Sequence, residues 1–115
     1  MSTTFRALVL ACAAAALAFA HDVTGKWTFQ VETDAGSGAP TFVFKQEGEK
    51  LTGNYTGTFG TANLTGTVKG DAIEFSFEAQ GAKIVYTGKI DASGKMKGEV
   101  DLGGLGHGAW TGTKQ

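Results

Sequence analysis

The chain has 115 residues, a formal net charge of −1 and 18 glycines, but only one proline and one cysteine. This length suits a single domain, and a near-neutral charge without a basic cluster argues against a nucleic-acid-binding protein. Abundant glycine without proline or low-complexity sequence is typical of tight β-turns, and it argues against a disordered chain.

The N-terminal segment has the features of an export signal. Arg6 is its only charged residue, an apolar run follows, and Ala18-Phe19-Ala20 has the small-x-small pattern of a cleavage site. The apolar run is shorter than the roughly 20 residues that a membrane-spanning helix needs. We therefore expect residues 1–20 to be a signal peptide that is cleaved after Ala20. The mature protein would then be secreted or periplasmic in a bacterium, without a membrane span.

A lipid anchor is the alternative use of the same segment. Val9-Leu10-Ala11-Cys12 loosely resembles a lipoprotein cleavage box, which would leave a lipidated Cys12, but the apolar tract continues beyond this cysteine. Residues 21–115 contain no cysteine. Because no disulfide is then available, the hydrophobic core of this domain has to stabilise the fold by itself.

Apolar and polar residues alternate with a period of two along nearly the whole of residues 21–115, which is the pattern of half-buried β-strands. In the first strand, Trp27, Phe29 and Val31 alternate with polar residues. The same period predicts about eight strands in chain order, over residues 26–33, 42–46, 51–59, 63–69, 73–78, 84–90, 95–102 and 110–114. Loops at Asp34–Pro40 and Leu102–Gly108 are the longest connections. We expect both to lie at a barrel mouth and to take part in ligand binding, and the glycine-rich second loop to be flexible.

The short connections predict an up-and-down arrangement, in which each strand pairs with its neighbour in the chain. Closing the first strand onto the last would remove both exposed sheet edges. Glycines on or next to the inward face permit the sharp coiling of a small barrel; they are Gly53, Gly57, Gly66, Gly88, Gly98 and Gly112. The polar outer face is opposite to that of an outer-membrane barrel. The predicted fold is all-β, a single closed antiparallel barrel over residues 21–115.

Two short motifs resemble those of the calycin-type barrels, the lipocalins and avidins. Gly25-Lys26-Trp27 resembles the G-x-W element of both families, and Val23–Trp27 and Leu51–Tyr55 are similar to avidin strand openings. The resemblance implies that Trp27 closes one end of the barrel, under a basic side chain from the last strand. Lys114 is the residue in that position.

The resemblance does not imply biotin as the ligand. Phe29 stands where avidins carry a polar ligand-binding side chain, and Gly57 replaces an expected hydroxyl residue, although Tyr55 matches a ligand-facing tyrosine. Only Trp27 and Trp110 could contribute to an aromatic box.

The barrel interior is the leading candidate for a binding site. An eight-stranded barrel is either filled by its own side chains or just wide enough for one small ligand, and both outcomes remain open at this stage. Tyr55 and Tyr86 face inward near several glycines, and buried phenol hydroxyls need hydrogen-bond partners. We expect a small, largely apolar or aromatic ligand and no cofactor. The expected lining is Tyr55, Tyr86, Phe29, Phe44, Phe75 and Trp110.

Two other functions stay as alternatives. Some small periplasmic inhibitors with a G-x-W start insert an N-terminal segment into a protease, but here only His21 to Thr24 precede the motif and their disulfide is missing. An N-terminal His21 together with His107 would suit copper, yet the predicted topology places them at opposite ends, on the order of 20 Å apart.

No catalytic set can be assembled from the sequence. Glu74 and Glu78 flank Ser76 on an outer face, where solvated carboxylates need no catalytic explanation. The remaining expectations are that no nucleic acid is bound and that the protein can self-associate as a homo-oligomer.

Overall fold

The computed structural model describes residues 22–115, which form one closed antiparallel β-barrel. The expected signal peptide and His21 lie outside the described residues. A single turn of 3-10 helix spans Gly103–Leu105. The strands are β1 (Gly25–Thr33), β2 (Gly36–Gly38), β3 (Thr41–Glu47), β4 (Lys50–Gly57), β5 (Gly60–Lys69), β6 (Ala72–Ala79), β7 (Ala82–Ile90), β8 (Met96–Asp101) and β9 (His107–Lys114).

Strand β1 closes the barrel because it pairs with two different long strands. Its first half, Gly25 to Thr28, pairs with β3, while Trp27 to Thr33 pair with β9. From β3 to β9 each strand pairs with its neighbour in the chain. The predicted up-and-down barrel of eight strands is therefore confirmed. The short strand β2 is an addition to it and is hydrogen-bonded to β1 alone.

The prediction was wrong at two connections. Asp34–Pro40 contains β2, because the Thr33 hydroxyl donates to the Gly36 carbonyl at 2.8 Å and accepts from the Ala35 N–H at 3.0 Å, which turns the chain back onto β1. The last strand begins at His107 instead of Trp110. Its extra residues pair with β1 as well as β8, so ladder hydrogen bonds offset the weak strand propensity of Gly108.

The core follows the predicted alternation. The buried hydrophobic residues form one cluster inside the barrel, and among the described residues no polar or charged residue is fully buried. Phe59 departs from the prediction, since β4 ends at Gly57 and leaves this ring only partly buried at the rim. The cluster consists of Val23, Trp27, Phe29, Val31, Phe42, Phe44, Leu51, Tyr55, Leu64, Val68, Ile73, Phe75, Phe77, Ile84, Tyr86, Ile90, Met96, Val100, Leu102 and Trp110.

Several inward glycines lie where neighbouring strands approach closely. A Cβ added at Gly98 would lie 1.9 Å from the Thr87 carbonyl oxygen, and one added at Gly66 would lie 2.0 Å from that of Glu74. Such distances leave no room for a side chain. The glycines therefore permit the tight curvature of this small barrel, as the sequence predicted.

Candidate binding pocket at the open end of the barrel

One end of the barrel is plugged. Trp27 is 2% exposed and its Nε1 donates to the Val23 carbonyl at 2.8 Å. The Val23 N–H donates in turn to Gln46 Oε1 at 2.9 Å, which fixes the segment before β1 across the opening. Lys114 pairs with Trp27 in the ladder, and its Cε lies 2.8 Å from where a Cβ on Gly25 would be. Trp27 therefore closes this end of the barrel, and Lys114 lies beside it on the last strand.

The middle of the barrel is filled by aromatic rings. Phe29 stacks on Trp110 with ring centroids 4.4 Å apart. Phe75 lies between Phe44, at 5.1 Å, and Tyr86, at 4.9 Å. Because these rings contact each other directly, the four residues Phe29, Phe44, Phe75 and Trp110 lie in the packed core and do not line the pocket described next.

A cavity of about 110 Å³ lies at the other end, between the β1–β2 hairpin and the β4–β5 turn. It brings together Tyr55 and Tyr86, as the sequence predicted for a binding site, although at the rim instead of the centre. Apolar residues from four parts of the chain complete the walls: Val31, Pro40, Phe59 and Leu102. We call this cavity the rim pocket and this end of the barrel the open end.

The two phenols of the rim pocket differ in their hydrogen bonds. The Tyr55 hydroxyl accepts from the Phe59 N–H at 3.2 Å. None of the hydrogen bonds formed within residues 22–115 involves the Tyr86 hydroxyl, and yet no fully buried side-chain polar atom in this range lacks a partner. The Tyr86 hydroxyl is therefore not completely enclosed, although the residue is buried, and Tyr86 lines the rim pocket.

Burial raises the pKa of Tyr86 above its usual value, and the nearby Tyr55 raises it further. The Tyr86 hydroxyl thus stays protonated throughout the neutral pH range. It can donate one hydrogen bond to a bound group and can accept another from it.

Glycine at position 57 explains how Tyr55 reaches the rim. A Cβ on Gly57 would lie 2.6 Å from the Tyr55 hydroxyl and 3.0 Å from Pro40 Cβ, so the phenol occupies the space of the missing side chain. Sequence reasoning identified Tyr55 and the loops that contain Pro40 and Leu102, but it did not assign Val31 or Phe59 to the site. The Tyr-x-Gly-x-Phe spacing over residues 55–59 was the signal that could have located Phe59.

The glycine-rich connection after β8 is hydrogen-bonded at the open end. The Leu102 N–H donates to the Gly106 carbonyl at 2.8 Å, and Leu102 itself is buried. Asp34 joins this connection to the β1–β2 hairpin, since its N–H donates to the His107 carbonyl at 3.1 Å and its Oδ2 lies 3.8 Å from His107 Nε2. This connection is therefore tied down by hydrogen bonds at both of its ends, and its first residue, Leu102, lines the rim pocket.

Charges are divided unequally between the two ends. The strand ends and turns around the open end carry carboxylates with a single lysine, Lys83, whereas the other lysines lie toward the plugged end. The carboxylates of the open half are Glu32, Asp34, Glu78, Glu99 and Asp101. A wide hollow on the outer wall, lined partly by Glu32, Glu99 and Asp101, is open to solvent.

The metal hypothesis involves residues at both ends. Asp22, next to His21, lies beside the plugged end. Hydrogen bonds from Thr24 lower the pKa of the Asp22 carboxyl, and the nearby charge of Lys114 lowers it further. His107 lies opposite Asp101 at the open end. Within residues 22–115, no group of three or more His, Cys, Asp or Glu side chains is placed to hold a metal ion.

Comparison with protein-family models finds no match, and comparison with curated proteins also finds none. Over the described part of the chain, no helix is both long enough and apolar enough to cross a membrane. The architecture itself, a closed antiparallel barrel of eight strands, is consistent with a calycin-like fold.

Proposed function

We propose that the protein is an exported binding protein whose rim pocket holds a small apolar or aromatic group. One observation carries this proposal: a largely apolar cavity lined by Tyr86, whose hydroxyl forms no hydrogen bond with any of residues 22–115. Affinity would come from the burial of apolar surface, and the phenol would orient the bound group. The proposal of export comes from the sequence of residues 1–20, and the G-x-W start supports kinship with lipocalins or avidins.

The size of the pocket limits what can enter. Its volume of about 110 Å³ is below the roughly 300–1,000 Å³ of sites for drug-sized ligands. A dry cavity of about 150 Å³ accommodates benzene. The pocket therefore takes at most a single small ring or a branched aliphatic group, and any remainder of the ligand lies outside the barrel.

The two alternative functions, a protease inhibitor and a copper-binding protein, have less support. Val23 is buried and hydrogen-bonded on both sides, so the described part of the N-terminal segment does not project toward a protease. His107 lies at the opposite end from Asp22, about 20 Å away along the strands at 3.3 Å per residue. A copper site that combined the N-terminus with His107 would need these ends to meet.

The test compares two probes of nearly equal shape, phenol and toluene, by NMR titration of the ¹⁵N-labelled protein. Both should shift the amide signals of the rim pocket. Replacing Tyr86→Phe should weaken phenol binding about 2- to 10-fold, the range expected for one hydrogen bond, and leave toluene binding unchanged. Equal losses for both probes would show that the hydroxyl does not contact the ligand.

A second variant blocks the pocket. Gly38 lines the pocket and faces inward opposite Val31, and a Cβ there meets only Thr58 Oγ1, at an ordinary 3.4 Å. Gly38→Val should therefore fold normally and abolish the binding of both probes. Gly104→Val is the matched control, since no atom lies within 4 Å of a Cβ at that position. Unaltered binding to the Gly38→Val protein would refute the proposed site.

A further inference from the structure

Carboxylates border the mouth of the rim pocket. Asp34 is exposed in the turn between Thr33 and Ala35, and both of these neighbours line the pocket. Asp101 is exposed at the end of β8 and directly precedes Leu102, which also lines the pocket. Each of these two carboxylates is therefore one residue away from the pocket wall.

The pocket wall itself is uncharged. Among its lining residues only the two phenols, Tyr55 and Tyr86, can ionise. Glu32 faces outward on β1 directly opposite Ser37, a lining residue, and so adds another carboxylate just outside the wall. Within the described residues, Lys83 is the one lysine of the open half. The pocket is therefore a neutral cavity with an acidic rim.

Tyr86 gives a separate indication that the pocket holds a ligand. Its side chain is 3% exposed, and its hydroxyl forms no hydrogen bond with any of residues 22–115. Buried polar groups normally have a hydrogen-bond partner. A ligand with a polar atom at its inner end would supply the partner that the described chain does not. This observation is independent of the charges at the mouth.

We propose that the ligand of the rim pocket is a small organic amine, with one ring inside the pocket and its ammonium group at the acidic mouth. This inference rests on the proposed function and names the chemical class of its ligand. The ammonium group stays outside, because burying a charge in an apolar cavity without a paired countercharge is costly. At the mouth it is attracted by Asp34, Asp101 and Glu32, whereas a carboxylate on the ligand would be repelled.

The first experiment compares three probes that share a phenol ring: tyramine, which is cationic, 4-ethylphenol, which is neutral, and 4-hydroxyphenylacetate, which is anionic. In NMR titrations at low salt, tyramine should bind about 3-fold more tightly than 4-ethylphenol, within the range of exposed ion pairs, and 4-hydroxyphenylacetate about 3-fold more weakly. In about 0.5 M salt the three affinities should converge, because the charges at the mouth are screened.

Variants that remove one charge locate the ammonium group. Asp34→Asn retains a side-chain oxygen that can accept from the His107 N–H, and Glu32→Gln changes an exposed, outward-facing side chain. Each should weaken tyramine binding about 1.5- to 3-fold and leave 4-ethylphenol binding unchanged. Glu49→Gln is the matched control, since it removes an exposed carboxylate at the plugged end, and it should affect neither probe. The titrations are run at about pH 8, because a protonated His107 imidazole would compete for Asp34, whose Oδ2 lies 3.8 Å from the imidazole Nε2.

Variants inside the pocket test the other end of the ligand. Tyr86→Phe should weaken the binding of tyramine and of 4-ethylphenol by the same factor, about 2- to 10-fold, because both probes carry a hydroxyl at the inner end of the ring. Gly38→Val should abolish the binding of both probes, with Gly104→Val as the control. The ring and the ammonium group are thereby assigned to different residues.

The outcomes separate this inference from the proposed function. If toluene and phenol bind in the rim pocket but tyramine binds no more tightly than 4-ethylphenol, the amine inference is wrong and the pocket proposal stands. Equal losses of the two probes in both Asp34→Asn and Glu32→Gln would also overturn it, since those carboxylates would then not act through charge. Tyramine binding that persists in the Gly38→Val protein would place the amine on the outer wall, against the inference. If none of the probes binds, both proposals fail.

Discussion

The two ends of the barrel differ in how completely side chains close them. At the plugged end one large indole closes the opening, with its N–H bonded to the preceding segment and Lys114 at the surface. At the open end two phenols and several smaller apolar residues surround a cavity that they do not fill. Between the two ends, stacked aromatic rings occupy the interior.

The comparison shows where a barrel of this size can have a binding function. Eight strands enclose a space that aromatic side chains fill almost completely. The rim pocket lies at the end of the barrel that the indole does not close, beside β2. If this division is correct, substitutions at the plugged end should affect mainly stability, and substitutions at the open end mainly binding.

The largest expected effect is that of removing the plug. Trp27→Ala should lower the free energy of unfolding by about 3–5 kcal/mol, the usual cost of deleting a large buried aromatic ring. Phe59→Ala at the open end should cost less than half as much, because Phe59 is only partly buried. Urea denaturation followed by circular dichroism measures both. If both variants lost a similar free energy of unfolding, the plugged end would not differ from the open end in its contribution to stability.

A second substitution tests the close approach of neighbouring strands at the inward glycines. Gly98→Ala should destabilise the barrel by about 1–3 kcal/mol or more, because the added Cβ is forced against the neighbouring strand. Gly104→Ala is the control, since a Cβ there meets no atom within 4 Å. We expect its unfolding midpoint to stay close to that of the wild type. An equally small effect at Gly98 would contradict the role assigned to the inward glycines.

Alkaline pH should weaken the protein through Tyr86 at the open end. Its pKa in the folded state is raised above the unfolded value of about 10. As the pH rises through 10, the unfolded chain therefore releases this proton first, and stability falls by up to about 1.4 kcal/mol per pH unit. Below that pH this contribution is fully present.

The measurement for Tyr86 is the free energy of unfolding of the wild type and of Tyr86→Phe between pH 9 and 11.5. The variant lacks this titration, so its stability should decline less steeply. Parallel pH profiles for the two proteins would show that the Tyr86 phenol is not protected from ionisation.

The smallest expected effect comes from the rim hydrogen bond. Tyr55→Phe removes the acceptor of the Phe59 N–H and should cost about 0.5–1.5 kcal/mol, as for other single hydrogen bonds. Trp27→Phe, which removes the bond from Nε1 to Val23 at the plugged end and also leaves a void, should cost more. Thermal unfolding of both variants gives the comparison. A larger loss for Tyr55→Phe would reverse the ranking of the two ends.

Much of the fold could be predicted because alternation is a local property. The side chain of each strand residue points to one face or the other, so Phe75 was identified as inward and Glu74 as outward from their spacing alone. Connection lengths then implied neighbour pairing, and the inward glycines indicated sharp curvature. Tyr55 and Tyr86 were identified as pocket residues by the same reasoning.

Non-local features could not be read from the sequence. The β2 strand depends on the Thr33 hydroxyl turning the chain and on pairing back to β1, and the Gly36-Ser37-Gly38 segment has no strand pattern of its own. Whether the interior was hollow or filled depended on how rings from different strands meet. Phe29 and Trp110, for example, stack across a ladder that joins the two ends of the chain.

Sequence by itself thus determined the class of fold and the face on which each residue lies, because a period of two acts within a few residues. Only the tertiary structure decided that the aromatic rings leave their space at the rim, beside β2. The physical reason is that free volume depends on how all the side chains pack together, so it cannot be predicted from the residues of any single strand.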